Sequence, residues 1–238
     1  MVTVLPHATL WDLDGTLVDS ERYWIRAEQA LISEHGGIWT EERGRELVGN
    51  TLSRTAEIMR EAGVQGLQNA EIIDRLGSAV RRQVAELGVP WRPGALELLQ
   101  SLHQAGIPNA LVTMSYSDNA TAIVDSLPFE GFQAVVSGDE VRRGKPDPEA
   151  YRTGASLLGV HPADCIAFED SVTGMRSAVA SGACTIVVPN MVPIPASPAH
   201  LEWDTLAGHD AADAADAWRR WRTRQEQGRP PRGREKYA

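Results

Sequence analysis

The chain is poor in cysteine, with only Cys165 and Cys184 in 238 residues, so a disulfide framework is excluded and a reducing compartment, the cytoplasm, is expected. No apolar run approaches the roughly 18 residues that a bilayer-spanning helix needs, which argues against a membrane protein. The opening residues lack a basic stretch and an apolar stretch ahead of Pro6 and His7, so no secretory signal is expected. Lysine is almost missing too: Lys145 and Lys236 stand against 21 arginines.

What is present is ordinary for a globular chain. With 42% hydrophobic and 23% charged residues, 238 residues can build one sizeable core with an insert. The net charge of −9 is unevenly spread. Residues 218–238 hold seven Arg and Lys236 against Glu226 and Glu235, so the rest is more acidic than the total. That balance looks unsuited to an anionic ligand. The basic tail is short and has no aromatic-interleaved groove, so no nucleic-acid partner is expected and its loss should leave turnover nearly unchanged.

Hydrophobic periodicity gives the layout. Residues 8–12 read as a buried strand stopped by an Asp/Gly cluster. Residues 20–32, 40–48, 51–62 and 69–87 all have helical periodicity, a long stretch without a strand. Residues 89–94 read as a hinge, because Pro90 and Pro93 forbid helix continuation. Helices at 95–104, 118–126, 148–158 and 172–180 then alternate with strands at 109–113, 134–137, 165–168 and 185–188. Such alternation calls for an α/β fold, a Rossmann-like parallel sheet with helices on both faces. The expected organisation is a core of residues 1–18 and 91–227, an inserted helical domain over 19–90, and a flexible tail over 228–238. Residues 190–200, rich in proline, read as a loop, and 210–227 as a last helix.

In a parallel α/β sheet, ligands gather at the carboxyl ends of the strands. Those ends carry Asp12-Leu-Asp14-Gly15-Thr16, Thr113-Met114-Ser115 and Glu169-Asp170-Ser171, and a nearby loop carries Gly144-Lys145-Pro146. Four clustered carboxylates cannot all stay ionised unpaired, so an oxygen-preferring cation such as Mg2+ is the natural compensation. With such a cation present, Asp12 can attack phosphorus and form an aspartyl-phosphate. Asp14 can then serve as general acid and base, with Lys145 and Thr113 binding the phosphoryl oxygens. A sequence that uses Arg nearly everywhere and keeps Lys145 here points to a site wanting a compact point charge. A calcium loop is a poor reading, since an EF-hand needs Gly sixth and Glu twelfth, where counting from Asp12 gives Leu17 and Tyr23. Taken singly, Thr113 reads as a strand-end hydroxyl and Glu169 and Asp170 as a helix N-terminal acidic pair. Trp24 and Trp39 read as packing residues.

The order of these four motifs, with a helical gap after the first, resembles the haloacid dehalogenase-like phosphohydrolases. Within them the chain is similar to the branch with a helical cap, which holds sugar-phosphate phosphatases, phosphoglycolate phosphatases and β-phosphoglucomutases. The resemblance implies Asp12 as nucleophile and Asp14 as acid/base. It implies Asp12, Asp14 through its backbone carbonyl, Glu169 and Asp170 as Mg2+ ligands, and Thr113 and Lys145 as phosphoryl binders. Gly15, Thr16, Ser115, Glu21, Gly49, Asn50 and Arg54 are the candidate substrate contacts, the last four under a closing cap. A true dehalogenase needs no proton donor at Asp14, and a Schiff-base phosphonatase needs a cap lysine, which residues 17–90 lack.

The related mutases place a histidine where this chain has Trp24, and His35 is the one cap histidine. The expected activity is therefore Mg2+-dependent hydrolysis of a small phosphorylated metabolite, a sugar phosphate. A β-phosphoglucomutase-like mutase and a phosphatase-scaffold binding protein are the alternatives. The expected partner is a small phosphate ester. A monomer is expected, with a dimer as the alternative.

Overall fold

The computed structural model describes residues 5–47, 50–195 and 201–227. The expectations for Gly49 and for the basic tail over 228–238 lie outside the described residues. The core is a six-stranded sheet in the order β3-β2-β1-β4-β5-β6, with every pairing parallel. Its strands are β1 (Ala8–Trp11), β2 (Asn109–Val112), β3 (Ala134–Val136), β4 (Cys165–Glu169), β5 (Cys184–Val187) and β6 (Leu201–Glu202). Strands β1, β2, β4 and β5 are buried throughout, as short apolar runs in a doubly covered parallel sheet should be.

Alternation along the strands divides the core in two. Trp11, Leu111, Ile166, Phe168 and Ile186 face α5 (Ala95–Gln104) and α9 (Ala211–Gln227), where Leu98, Leu102 and Trp218 complete the layer. Ala8, Leu10, Ala110, Val112 and Ala167 face α7 (Glu149–Leu157) and α8 (Val172–Ser181). Each fully buried Leu, Ile or Phe contributes about 1.5–3 kcal/mol. The second layer is thin because small residues bring the helices close. A Cβ on Gly154 would lie 2.8 Å from Val112 Cγ2.

Four helices stand between β1 and α5: α1 (Glu21–Glu34), α2 (Glu41–Arg45), α3 (Leu52–Glu61) and α4 (Asn69–Leu87). They bury their own cluster, centred on Tyr23, Leu31, Ile32, Met59, Ile72 and Leu76. The chain enters and leaves this insert side by side. Val18 bridges Trp91, Asp19 N donates to Pro90 O at 2.7 Å, and Arg92 N donates to Leu17 O at 3.0 Å. Gly94, which follows, has φ +81°, and a Cβ there would lie 2.3 Å from the Ala207 backbone.

The structure departs from the sequence reading in two elements. β6 extends the sheet by a two-residue strand, too short to show a period, beside β5. The helix expected over 40–48 is the five-residue α2, which starts where Thr40 accepts a hydrogen bond from Arg43 N. Among the described residues, no helix is long and apolar enough to cross a membrane.

Candidate active site

Register sets the site. Trp11 pairs with Leu111 on one side and Phe168 on the other, so Asp12, Thr113 and Glu169 emerge together at the carboxyl edge. Lys145 rises among them from the loop before α7. Its Nζ donates to Asp12 Oδ1 at 2.6 Å, Glu169 Oε1 at 2.7 Å and the Val112 carbonyl at 2.9 Å, using all three of its donors. The ammonium is buried, yet the two carboxylates outweigh its desolvation and hold its pKa above the usual value.

Glu169 is more fully tied down. Tyr151 OH donates to its Oε1 at 2.7 Å, and its Oε2 accepts from Asp170 N, Ser171 N and Ser171 Oγ at 3.1, 3.3 and 3.2 Å. A Cβ on Gly174 would stand 1.8 Å from Glu169 Oε1, so the first turn of α8 leaves space for this carboxylate only because residue 174 is glycine. Tyr151 also lies under Lys145, whose Nζ is 4.9 Å from the ring centroid. Sequence reasoning missed Tyr151, because a tyrosine inside an amphipathic helix carries no sign of what its hydroxyl reaches.

Asp12 has one oxygen left over. Oδ1 is held by Lys145, while Oδ2 is buried and makes no hydrogen bond. Burial first, then the charge of Glu169, push its carboxyl up to about 8 against the pull of Lys145. Asp170 is likewise driven well above the ordinary range by burial and by the charges of Asp12, Glu169 and Glu21. Carboxylate oxygens of Asp12, Glu169 and Asp170 lie within 4.8 Å of one another. A buried acidic group with an unsatisfied oxygen and no further cation suits a hard divalent ion. Asp12 and Asp170 are the members with capacity to spare, whereas Glu169 is saturated and positions Lys145.

Asp14 sits at the joint between insert and core. Ser20 Oγ and Trp24 Nε1 donate to its Oδ1 at 2.5 and 3.0 Å, and Ser115 Oγ and Thr113 Oγ1 donate to its Oδ2 at 2.6 and 3.4 Å. Its carboxylate is not part of the acidic cluster. Trp24 is therefore a site residue as well as a packing one. Trp39 keeps the packing role expected of it, and its Nε1 donates to Glu28 Oε2 at 3.1 Å.

Asp12, Asp14, Thr113, Ser115, Lys145, Asp170, Glu21 and Asn50 all line one cavity between core and insert. Glu21 is buried, its carboxyl raised to about 7, chiefly by burial, and it accepts from Asn190 Nδ2 at 3.2 Å. Three expected contacts differ. Gly15 and Thr16 lie beneath the cavity: Gly15, at φ +92°, is wedged so that a Cβ would meet Asp170 and Glu21, and Thr16 Oγ1 donates to Asp170 Oδ1 at 3.4 Å. Arg54 points outward, half exposed, and pairs with Glu57 at 2.9 Å. Its neighbour Thr55, one helical step round α3, lines the cavity instead, as do Glu28 and Trp24 on α1. Glu21, Trp24 and Glu28 follow an i, i+3, i+7 stripe that the sequence does display.

A family model described as haloacid dehalogenase-like hydrolase matches residues 9–188. The chain belongs to that family. Among curated relatives, this haloacid dehalogenase-like hydrolase is 33% identical over 187 residues to hexitol phosphatase A of Escherichia coli (strain K12), a match covering 75% of this chain and 81% of the relative. It is also 33% identical over 177 residues to validoxylamine A 7'-phosphate phosphatase of Streptomyces hygroscopicus subsp. limoneus, covering 73% and 81%. Among solved structures, CbbY from Rhodobacter sphaeroides in complex with xylulose-(1,5)bisphosphate superposes with a TM-score of 0.80 at 28% identity, covering 87% of this chain and 98% of that one. The similarity runs to the phosphatase branch of the family, with the parallel α/β sheet in common.

Proposed function

We propose that this hydrolase is a Mg2+-dependent phosphatase that removes phosphate from a small sugar-phosphate metabolite through an aspartyl-phosphate on Asp12. The curated relatives named above are phosphatases, which supports a phosphoric monoester hydrolase, and the substrate class follows them. The observation that carries the reading is the free, buried Oδ2 of Asp12, opposite an oxygen neutralised by Lys145. Residues 19–90 act in this reading as a cap over the site.

Mg2+, held by Asp12, Asp170 and the Asp14 backbone carbonyl that the resemblance assigns, would supply positive charge against phosphate and carboxylate together. Asp12 Oδ2 attacks phosphorus in line with the ester oxygen. The ester bond breaks as Asp14 gives its proton to the leaving oxygen, and the freed alcohol departs. Asp14 then takes a proton from a water that attacks the same phosphorus, which releases phosphate and restores Asp12. Lys145 and Thr113 face the phosphoryl oxygens on which charge spreads. Ser20, Trp24, Ser115 and Thr113 all donate to Asp14 and hold it as the carboxylate that takes the proton from water, and when it carries a proton for the leaving oxygen one of the hydroxyl partners turns away.

A mutase must keep its phosphoryl group from water and pass it back to sugar. Trp24 does not favour that reading, because an indole N–H donates only and is committed to Asp14. A mere binding protein on this scaffold has no use for an acid/base residue held by four donors. The proposal places the enzyme in the cytoplasm, in keeping with Cys165 and Cys184 as free, buried thiols. A phosphate-release screen over sugar, polyol and small-acid phosphates, with and without Mg2+, tests it. Mg2+-dependent release from a sugar or polyol phosphate is expected. Isomerisation that needs a bisphosphate activator, with no free phosphate, would replace it by the mutase reading.

A further inference from the structure

The wall of the cavity opposite Asp12 comes from the insert, and its charge is one-sided. It presents two carboxylates, Glu21 and Glu28, with Asn50, Thr55, Leu47 and Leu52 around them. Among the described residues lining the cavity, the only cation is Lys145, and it lies at the Asp12 end, bonded to Asp12, Glu169 and Val112 and away from the insert's wall. On α1, Arg22 pairs with Asp19 and Arg26 is exposed and lines a separate cavity, and the arginines of α2 and α3 are engaged elsewhere. Arg54 pairs with Glu57, Arg45 pairs with Glu41 at 2.5 Å, and the Arg43 guanidinium stacks 4.7 Å over the Trp39 ring.

The two carboxylates are not equivalent. Glu21 leans on Gly15 and Asp170 at the catalytic end and holds Asn190. Glu28 stands two turns farther along α1. It is 4% exposed, and its single hydrogen bond, from Trp39 Nε1, falls on Oε2. Oε1 has none. Gly44 of α2 closes over this side chain, where a Cβ would lie 2.8 Å from Ile25 Cγ1 and 3.2 Å from Glu28 Oε2. The carboxylate is thus held on one side and one donor short at Oε1, which is open to the cavity, whereas the unpaired Oε2 of Glu21 is buried. Burial, partly offset by the Trp39 indole, pushes it up to about 7, as expected of an acceptor whose partner is not a cation.

We infer that Glu28 is the specificity-determining residue of this pocket: it accepts a hydrogen bond from a hydroxyl of a neutral, polyhydroxylated alcohol portion of the substrate and turns away esters that carry a second phosphate or a carboxylate. The inference rests on the phosphatase reading and narrows it to monophosphates of sugars or polyols. A substrate hydroxyl supplies the missing donor to Oε1, while the apolar side chains at Leu47 and Leu52 pack on the carbon chain. A second anion at the same place meets two carboxylates and no cation, so the pocket discriminates by repulsion as much as by attraction.

The test compares kcat/KM of the full chain, with Mg2+, for a hexitol 6-phosphate, the matching hexitol 1,6-bisphosphate and phosphoglycolate, with p-nitrophenyl phosphate as a probe lacking both hydroxyl and second anion. The wild type is expected to favour the monophosphate at least a hundredfold over either doubly anionic ester. Glu28→Gln, which removes the charge and keeps the shape, should narrow that ratio at least tenfold. Leu52→Arg, a second variant that adds a cation to the same wall, should narrow it too. Thermal melting checks that each variant is folded, and either folded variant suffices for the comparison. A wild-type ratio within threefold, or folded variants that leave the ratio unchanged, overturns the inference while p-nitrophenyl phosphate turnover leaves the phosphatase reading standing. No turnover of any of the four esters would overturn both.

Discussion

Trp24 on α1 donates its indole N–H to Asp14 Oδ1 at 3.0 Å, so the insert reaches down and grips the residue proposed to move protons in the core. The grip from the other side is Ser115, at 2.6 Å from Oδ2. A hydrogen bond to a charged group contributes about 1.5–3 kcal/mol. Trp24→Phe keeps the ring and loses the donor, and should lower kcat by about 10- to 100-fold with a smaller change in KM. Steady-state kinetics on the best sugar phosphate checks this, and a kcat within twofold of wild type would show that Trp24 only packs.

Lys145 is the counter-charge for two buried carboxylates. Lys145→Met leaves Asp12 and Glu169 facing each other without it, and breaking a buried pair from one side costs about 3–5 kcal/mol. Urea unfolding at pH 7 should show a loss of that order, along with loss of turnover. Lys145→Arg should not rescue activity, since a planar fork cannot reproduce a point charge that reaches two carboxylates and a carbonyl. Stability within 1 kcal/mol of wild type would contradict the role given to this ion pair.

Glu28 makes stability depend on pH in the same direction as the other buried carboxyls, and its own share is isolated by substitution. Its carboxyl is raised from 4.5 to about 7 by burial, with the Trp39 indole as the lesser, opposing cause. Folded protein therefore holds this proton more tightly than unfolded protein does. The advantage is complete below about pH 4.5 and is lost as pH rises through about 7, and the size is on the order of 3 kcal/mol. Glu28→Gln should stabilise the protein at pH 8 and do little at pH 4.5, measured by denaturant unfolding at both. A gain of equal size at the two pH values would mean that charge is not the cause. A residue that costs stability at working pH is what a binding role leads one to expect.

Arg54→Ala should leave KM and kcat within about twofold and stability within about 0.5 kcal/mol. Its partners are Glu57 and Glu61 on an exposed face, and such pairs contribute little. A KM raised tenfold would show that Arg54 swings into the cavity during turnover.

The meeting of Asp12, Glu169, Asp170 and Lys145 was legible because the carboxylates follow short apolar runs and the lysine sits in a Gly-Lys-Pro turn, and a parallel sheet brings such ends together. The insert was legible as helices, since their periodicity needs no partner. What those helices point at the core was not. A residue step on α3 turns the chain by about 100°, and that step separates Thr55, in the cavity, from Arg54, outside it. Trp24 and Tyr151 were hidden for a different reason: both rings belong to apolar layers, and only their polar tips reach Asp14 and Glu169. β6 escaped notice because two residues carry no period.

The central claim is that Asp12 takes the phosphoryl group. Its most direct test is phosphate release from a sugar monophosphate in the presence of Mg2+ by wild type and by Asp12→Asn, with melting curves to confirm that both are folded. Turnover by the wild type and a loss of at least a thousandfold in the variant are predicted. A folded Asp12→Asn protein that releases phosphate at a rate near the wild type would contradict the account.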